Sequence, residues 1–159
     1  MYRDNGAIGA LLDEYEKAIG ELKDVIKDLT APQIMEIVDN ETKDVDCRSI
    51  QTILAHTVQA GYTYVVEIRK WLGEDIDYRN AINLESADEF ITALDDMFQY
   101  NEKLFSDYPD IRIEELNPEN KINVRWGQSY DVEQLYEHAI VHILRHRRQI
   151  QRFILSLES

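Results

Sequence analysis

Apolar residues recur at three- and four-residue spacing along four long stretches of the chain, with polar residues between them. This periodicity is typical of amphipathic helices, because side chains three and four residues apart lie on the same face of a helix. The pattern predicts four helices, over about residues 7–29, 49–72, 86–108 and 132–157.

Residues that commonly begin or end helices mark several of these boundaries. Ser49 is suited to cap the second helix, and Gly73 is suited to end it. Ser86-Ala87-Asp88-Glu89 matches the capping-box pattern at the start of the third helix, and Tyr108-Pro109 stops that helix. The sequence therefore supports the predicted helices independently of their apolar periodicity.

Two long connectors lack the helical pattern. Residues 30–47 are mostly polar, with one short helical turn expected near residues 33–38. Residues 110–129 are irregular, but Ile122, Val124 and Trp126 alternate with polar residues, which predicts a short strand or hairpin. Four long helices with such connectors predict an all-α protein, a four-helix bundle in which residues 1–159 form a single domain.

The chain of 159 residues is acidic, with a formal net charge of −14. This charge argues against nucleic-acid binding and against adsorption to anionic membranes, because both require a basic face. Cys47 is the single cysteine, so no intrachain disulfide can form, and its polar surroundings indicate an incidental thiol. No stretch resembles a signal peptide and no apolar run approaches the roughly 18 residues of a membrane span, so a cytoplasmic protein is expected.

Three of the four histidines, His138, His142 and His146, recur at every fourth position of the last predicted helix. Each lies only ~40° around the helix from the previous one, so they form a stripe along one border of its apolar face. Two imidazoles four residues apart can bind one cation, and His56 on the second helix can supply a third. A single histidine against a core is usually a hydrogen-bonded structural residue, but three in register together with His56 favour a metal site.

The spacing leaves open which pair of imidazoles binds the ion. His138 and His146 are about 12 Å apart along the helix axis, so one ion is not expected to bind all three histidines. Either adjacent pair, together with His56, would give a three-histidine site. Such a site keeps a coordination position open, which is the arrangement of catalytic rather than structural metal ions.

At these residues the sequence resembles the DinB-like (DNA-damage-inducible, YfiT-like) metalloprotein superfamily, which is unrelated to the polymerase of the same name. The family has a histidine in its second helix, in a context matched by Leu54-Ala55-His56. Late in its fourth helix it has His-x-x-x-His-Arg-x-Gln, matched by residues 142–149. Trp126-Gly127 and the helix lengths also agree, so the resemblance spans essentially the whole chain.

The resemblance implies an up-down-down-up bundle that binds a divalent metal, usually zinc or nickel, through His56, His142 and His146. His138 would then be a pocket residue one helical turn from the ligands. Family members of known activity use the metal to activate low-molecular-weight thiols for transfer to, or isomerisation of, small electrophiles, and dimers are common. This chain has Arg148 where the family often has glycine, but that position faces away from the histidine stripe, so the site is expected to be retained.

The first functional hypothesis is therefore a metal-dependent thiol transferase or isomerase. His138 would act as its catalytic general base or as an orienting group, and either Arg145 or Arg152 would bind a substrate carboxylate. The aromatic residues near the level of the histidines are candidate walls of the pocket; these are Tyr62, Trp126 and Tyr130.

Two alternatives belong to other classes. A metal-dependent hydrolase needs a carboxylate base near the ion, but Glu137 points about 100° away from the histidine stripe. A non-catalytic metal-binding or stress-response protein would instead use its surface to bind a partner. The apolar residues off the stripe could bury against a second copy in a homodimer; these are Ile140, Val141, Leu144 and Leu155.

Overall fold

The computed structural model describes residues 3–4 and 6–159, and most of them are helical, as predicted. The helices are α1 (Gly6–Ile26), α2 (Ala31–Met35), α3 (Ile50–Trp71), α4 (Ala87–Asp107) and α5 (Val132–Leu157). Among the described residues, the strands form a single two-stranded antiparallel sheet of β1 (Ile122–Asn123) and β2 (Ser129–Tyr130). No helix within 3–4 and 6–159 is both long enough and apolar enough to cross a membrane.

The predicted helix starts are confirmed by side-chain caps. Ser49 caps α3 by accepting a hydrogen bond from the backbone N–H of Thr52, and Ser86 caps α4 in the same way. The first helix ends at Ile26, three residues earlier than predicted. Thr30 adopts an extended backbone and caps the short helix α2. This helix is the helical turn expected near residues 33–38, and it begins two residues earlier, at Ala31.

The four long helices bury one continuous apolar cluster. Helix α1 packs against α4 and α5, and α3 packs against the same two helices. Inside the cluster, the Tyr136 hydroxyl donates to Asn101 Oδ1 over 3.0 Å, and the Asn101 amide donates to the Gly61 carbonyl over 3.3 Å. This buried polar chain links α5, α4 and α3, so the relative positions of the helices depend on it as well as on apolar packing.

The alternation predicted near residue 122 corresponds to the hairpin of β1 and β2. Ile122 and Val124 are buried, and Gly127 turns the chain with a φ of +87°, a conformation that favours glycine. The turn leaves Trp126 38% exposed, in the hairpin that precedes α5. The hairpin thus carries an aromatic side chain to the N-terminal half of the histidine helix.

The apolar residues proposed for a homodimer do not form one exposed face. Val141 and Leu155 are 61% and 65% exposed, whereas Ile140 and Leu144 are partly buried against the core. The homodimer stays a prediction, with Val141 and Leu155 as its two exposed apolar candidates.

Candidate metal centre

His56, His142 and His146 come together between α3 and α5. The Nε2 atom of His142 lies 3.0 Å from that of His56 and 3.1 Å from that of His146. Two imidazole nitrogens bound to one ion at about 2.0–2.1 Å lie roughly 3.0–3.4 Å apart, so these spacings suit a shared ion. The three side chains form a group that could hold a metal ion.

Helical spacing brings two of these imidazoles together, and helix packing brings the third. His142 and His146 are adjacent on α5 because four residues make slightly more than one helical turn. His56 reaches them because α3 packs against α5. His142 and His146 are 6% and 3% exposed, whereas the His56 side chain is 32% exposed. The group is therefore buried on the α5 side and open to solvent on the α3 side.

Two of the three imidazoles have an oxygen atom near the other ring nitrogen, a hydrogen-bonding amide for His146 and a nearby carboxylate for His56. Nδ1 of His146 lies 3.0 Å from the Gln149 Oε1 atom, and Nδ1 of His56 lies 3.4 Å from a carboxylate oxygen of Asp46. An acceptor beside Nδ1 favours the tautomer with its proton there, which leaves Nε2 with a free lone pair. Sequence reasoning did not identify Asp46 as part of the site, because its contact with His56 depends on the path of a connector.

The lone pairs of His56 and His146 thus converge on the same point as Nε2 of His142. A proton on Nε2 of His142 could form a hydrogen bond with only one of the two neighbouring Nε2 atoms at a time. Protonating the group further is unfavourable, because burial and the neighbouring His146 and His56 rings lower the pKa of His142 to about 2. Burial likewise lowers the pKa of His146. Three converging neutral imidazoles fit a cation, so the donor set is suited to a divalent metal ion.

His138 lies outside this group of three. Its ring centroid is 6.2 Å from that of His142, and its Nδ1 atom is 3.3 Å from the Tyr130 hydroxyl. The Trp126 ring stacks on it at 5.9 Å. Burial, followed by the positive charge of Arg145, lowers the pKa of His138, so this imidazole is favoured in its neutral form.

A cleft of about 450 Å³ lies beside His56, His138 and His142. Its lining residues are His56, Gln59, Ala60, Thr63, Tyr64, Arg125, Trp126, Gln128, His138, His142 and Arg145. Arg145 and Trp126 therefore lie where the sequence predicted pocket residues. Arg152, Tyr62 and Tyr130 do not line this cleft. Tyr62 instead borders a second cleft between α3 and α4, and Tyr130 contacts His138.

Sequence reasoning missed Tyr64 and Arg125 in this cleft. Tyr64 lies two helical turns beyond His56 on the same helix, and its ring centroid is 5.6 Å from that of His138. The sequence could have identified Tyr64, because residues eight positions apart lie near the same face of a helix. No comparable pattern marked Arg125, which lies in the hairpin.

No protein-family model matches this chain, and a search of curated proteins finds no match either. The chemistry of the site is therefore inferred from its own residues and their arrangement.

Proposed function

We propose that this protein is a DinB-like four-helix bundle of up-down-down-up topology, and that it binds a divalent metal ion, zinc or nickel, through His56, His142 and His146. The observation that carries the proposal is the convergence of three Nε2 atoms beside an open cleft. We further propose that it acts as a metal-dependent transferase or isomerase on a low-molecular-weight thiol and a small electrophile.

The ligand set supports this chemistry over a purely structural site. Three neutral imidazoles leave the charge of a divalent ion uncompensated and leave coordination positions for a substrate. A divalent ion held there would lower the pKa of a bound thiol and favour its thiolate. Gln149 hydrogen-bonds the His146 imidazole, the Asp46 carboxylate lies 3.4 Å from Nδ1 of His56, and the cleft beside His56 is large enough for a small molecule.

We assign His138, which lines the cleft, the role of accepting a proton from a bound molecule. The Tyr130 hydroxyl donates to the Gln128 side-chain oxygen, so it is left to accept from Nδ1 of His138. With the proton on Nδ1, Nε2 of His138 would carry a free lone pair. A neutral imidazole with a free nitrogen, beside the ligands but separate from them, suits a general base.

A metal-dependent hydrolase has less support from the cleft. Activation of water by a bound ion generally needs a nearby carboxylate to take the proton. None of the lining residues found in the described part of the chain is Asp or Glu. Asp46 lies on the Nδ1 side of His56, on the far side of that imidazole from the converging Nε2 atoms.

Elemental analysis of the untagged protein tests the metal centre. We expect about one equivalent of zinc or nickel per chain, and none in the triple variant in which His56, His142 and His146 are replaced by Ala. A His138→Ala variant is the matched control and should retain the metal. Equal metal content in the wild type and the triple variant would refute the ligand assignment.

Thiol consumption in the presence of a panel of small electrophiles tests the reaction. We expect turnover that a chelator abolishes and that His138→Ala reduces more than it reduces metal content. A metal-loaded protein with no turnover across the panel would instead support a non-catalytic metal-binding protein.

A further inference from the structure

The cleft beside the three histidines is positively charged, although the chain as a whole has a net charge of −14. Arg125 and Arg145 both line it. Among residues 3–4 and 6–159, neither guanidinium forms an ion pair with a carboxylate. In so acidic a protein, two arginines without acidic partners in one cleft point to a negatively charged ligand.

Arg125 is held in place by a buried carboxylate. Glu67 on α3 is 5% exposed and accepts hydrogen bonds from the backbone N–H of Arg125 and from the Tyr78 hydroxyl, each over 2.9 Å. The Tyr78 ring in turn lies under the Arg125 guanidinium, 4.3 Å from its central carbon. This cation–π contact orients the side chain without neutralising its charge.

Arg145 approaches the cleft from α5. It lies one residue before His146, yet its side chain is exposed and lines the cleft rather than the histidine group. A guanidinium binds a carboxylate through two parallel hydrogen bonds, so the pair of arginines can recognise both the charge and the shape of an anionic group.

The cleft also presents flat apolar surface. The Trp126 ring stacks on His138, and the Tyr64 ring meets both of these rings edge-on, with centroid separations of 5.9 Å and 5.6 Å. The remaining lining residues include the small side chains of Ala60 and Thr63. An aromatic or otherwise planar group fits such a surface better than a branched one.

We propose that this cleft binds a small organic anion whose charged group is held by Arg125 and Arg145 and whose planar apolar part packs against Trp126. The inference rests on the proposed function, since it names the substrate class of the same site. Binding of the anion through the arginines does not itself require a metal ion.

Benzoate and its neutral analogue benzamide are suitable probes, followed through the indole N–H signals of the two tryptophans in nitrogen–proton correlation spectra. A Trp71→Phe variant assigns the Trp126 signal. In chelator-treated protein, benzoate should shift that signal saturably, and benzamide should bind at least about tenfold more weakly, because it lacks the charge. Equal binding of the two probes, or no shift with benzoate, would overturn the proposal.

Arginine variants locate the charged contact. Arg125→Gln and Arg145→Gln should each weaken benzoate binding by roughly tenfold or more, because each removes a charge-assisted hydrogen bond. Arg152→Gln is the matched control on the same helix and should change the affinity less than about twofold. Retention of full affinity in both cleft variants would overturn the assignment. Repeating the titration with zinc-loaded protein should preserve the dependence on both arginines.

The metal analysis separates the two proposals. Metal uptake without discrimination between benzoate and benzamide would overturn the anion cleft and leave the metal centre intact. Arginine-dependent benzoate binding in a protein that takes up no metal would support the anion cleft and overturn the proposed metal function.

Discussion

The imidazole of His146 is constrained at both of its nitrogens. Nδ1 is within hydrogen-bonding distance of Gln149 Oε1, and Nε2 lies against His142. Gln149 follows His146 by three residues, so helical geometry alone brings their side chains together. The Cys47 thiol lies 3.8 Å from the same glutamine oxygen. Cys47 therefore borders the site through its contact with Gln149.

Replacing Gln149 tests whether this contact tunes the metal site. Gln149→Leu removes the acceptor for Nδ1, so the ring can rotate or change tautomer, and metal affinity should fall by about 10–100-fold. Competition with a chelating dye measures the affinity. Gln151→Leu, at an exposed position on the same helix, is the control and should bind metal like the wild type. An unchanged affinity in Gln149→Leu would show that the glutamine does not orient His146.

At the scale of the helices, α3 can approach α4 closely because Gly61 has no side chain. A Cβ atom added to Gly61 would lie 2.3 Å from the sulfur of Met97, which is far inside van der Waals contact. Met97 and Asn101 pack on α4 directly against this point. Because α3 also carries His56, the helix spacing set at Gly61 affects the position of one histidine of the candidate metal site.

A pair of glycine substitutions separates packing from helix propensity. Gly61→Ala should lower the free energy of unfolding by about 1–3 kcal/mol, because the methyl group overpacks the interface. Gly20→Ala on α1 meets no atom within 4 Å and should raise the free energy of unfolding by roughly 0.5–1 kcal/mol, since alanine favours the helix. Denaturant unfolding measures both. A free energy of unfolding that is unchanged or higher in Gly61→Ala would contradict the close-packing explanation.

At the scale of the whole molecule, the histidine group joins segments that are far apart in the chain. His56 is 86 residues from His142, and Asp46 belongs to the connector before α3. The histidines converge only in the folded protein, so the free energy of binding a metal ion there would add to the stability of the fold.

Metal loading should therefore raise the unfolding temperature. With free zinc at about 100 times its Kd, the expected stabilisation is roughly 2.7 kcal/mol, corresponding to about 5–10 °C for a chain of this length. Differential scanning calorimetry with and without chelator measures the shift. The triple histidine variant should show no shift, and an equal response in that variant would assign the stabilisation to zinc bound elsewhere.

The sequence by itself determined the features that depend on neighbouring residues. The apolar periodicity located the four long helices, Ser49 and Ser86 marked helix starts, and four-residue spacing placed His142 beside His146. These relations follow from the geometry of the helix, so they can be predicted without knowing where the rest of the chain lies.

Helical spacing left two histidine pairs open on the last helix, and the family resemblance implied His142 and His146. The tertiary structure brings that pair to His56. It also decided that Asp46 and Arg125 belong to the site, because both lie in connectors whose paths depend on distant contacts. Those contacts form only when α3, α5 and the connectors pack together. Local periodicity carries no information on that packing, because it depends on residues that are remote in sequence.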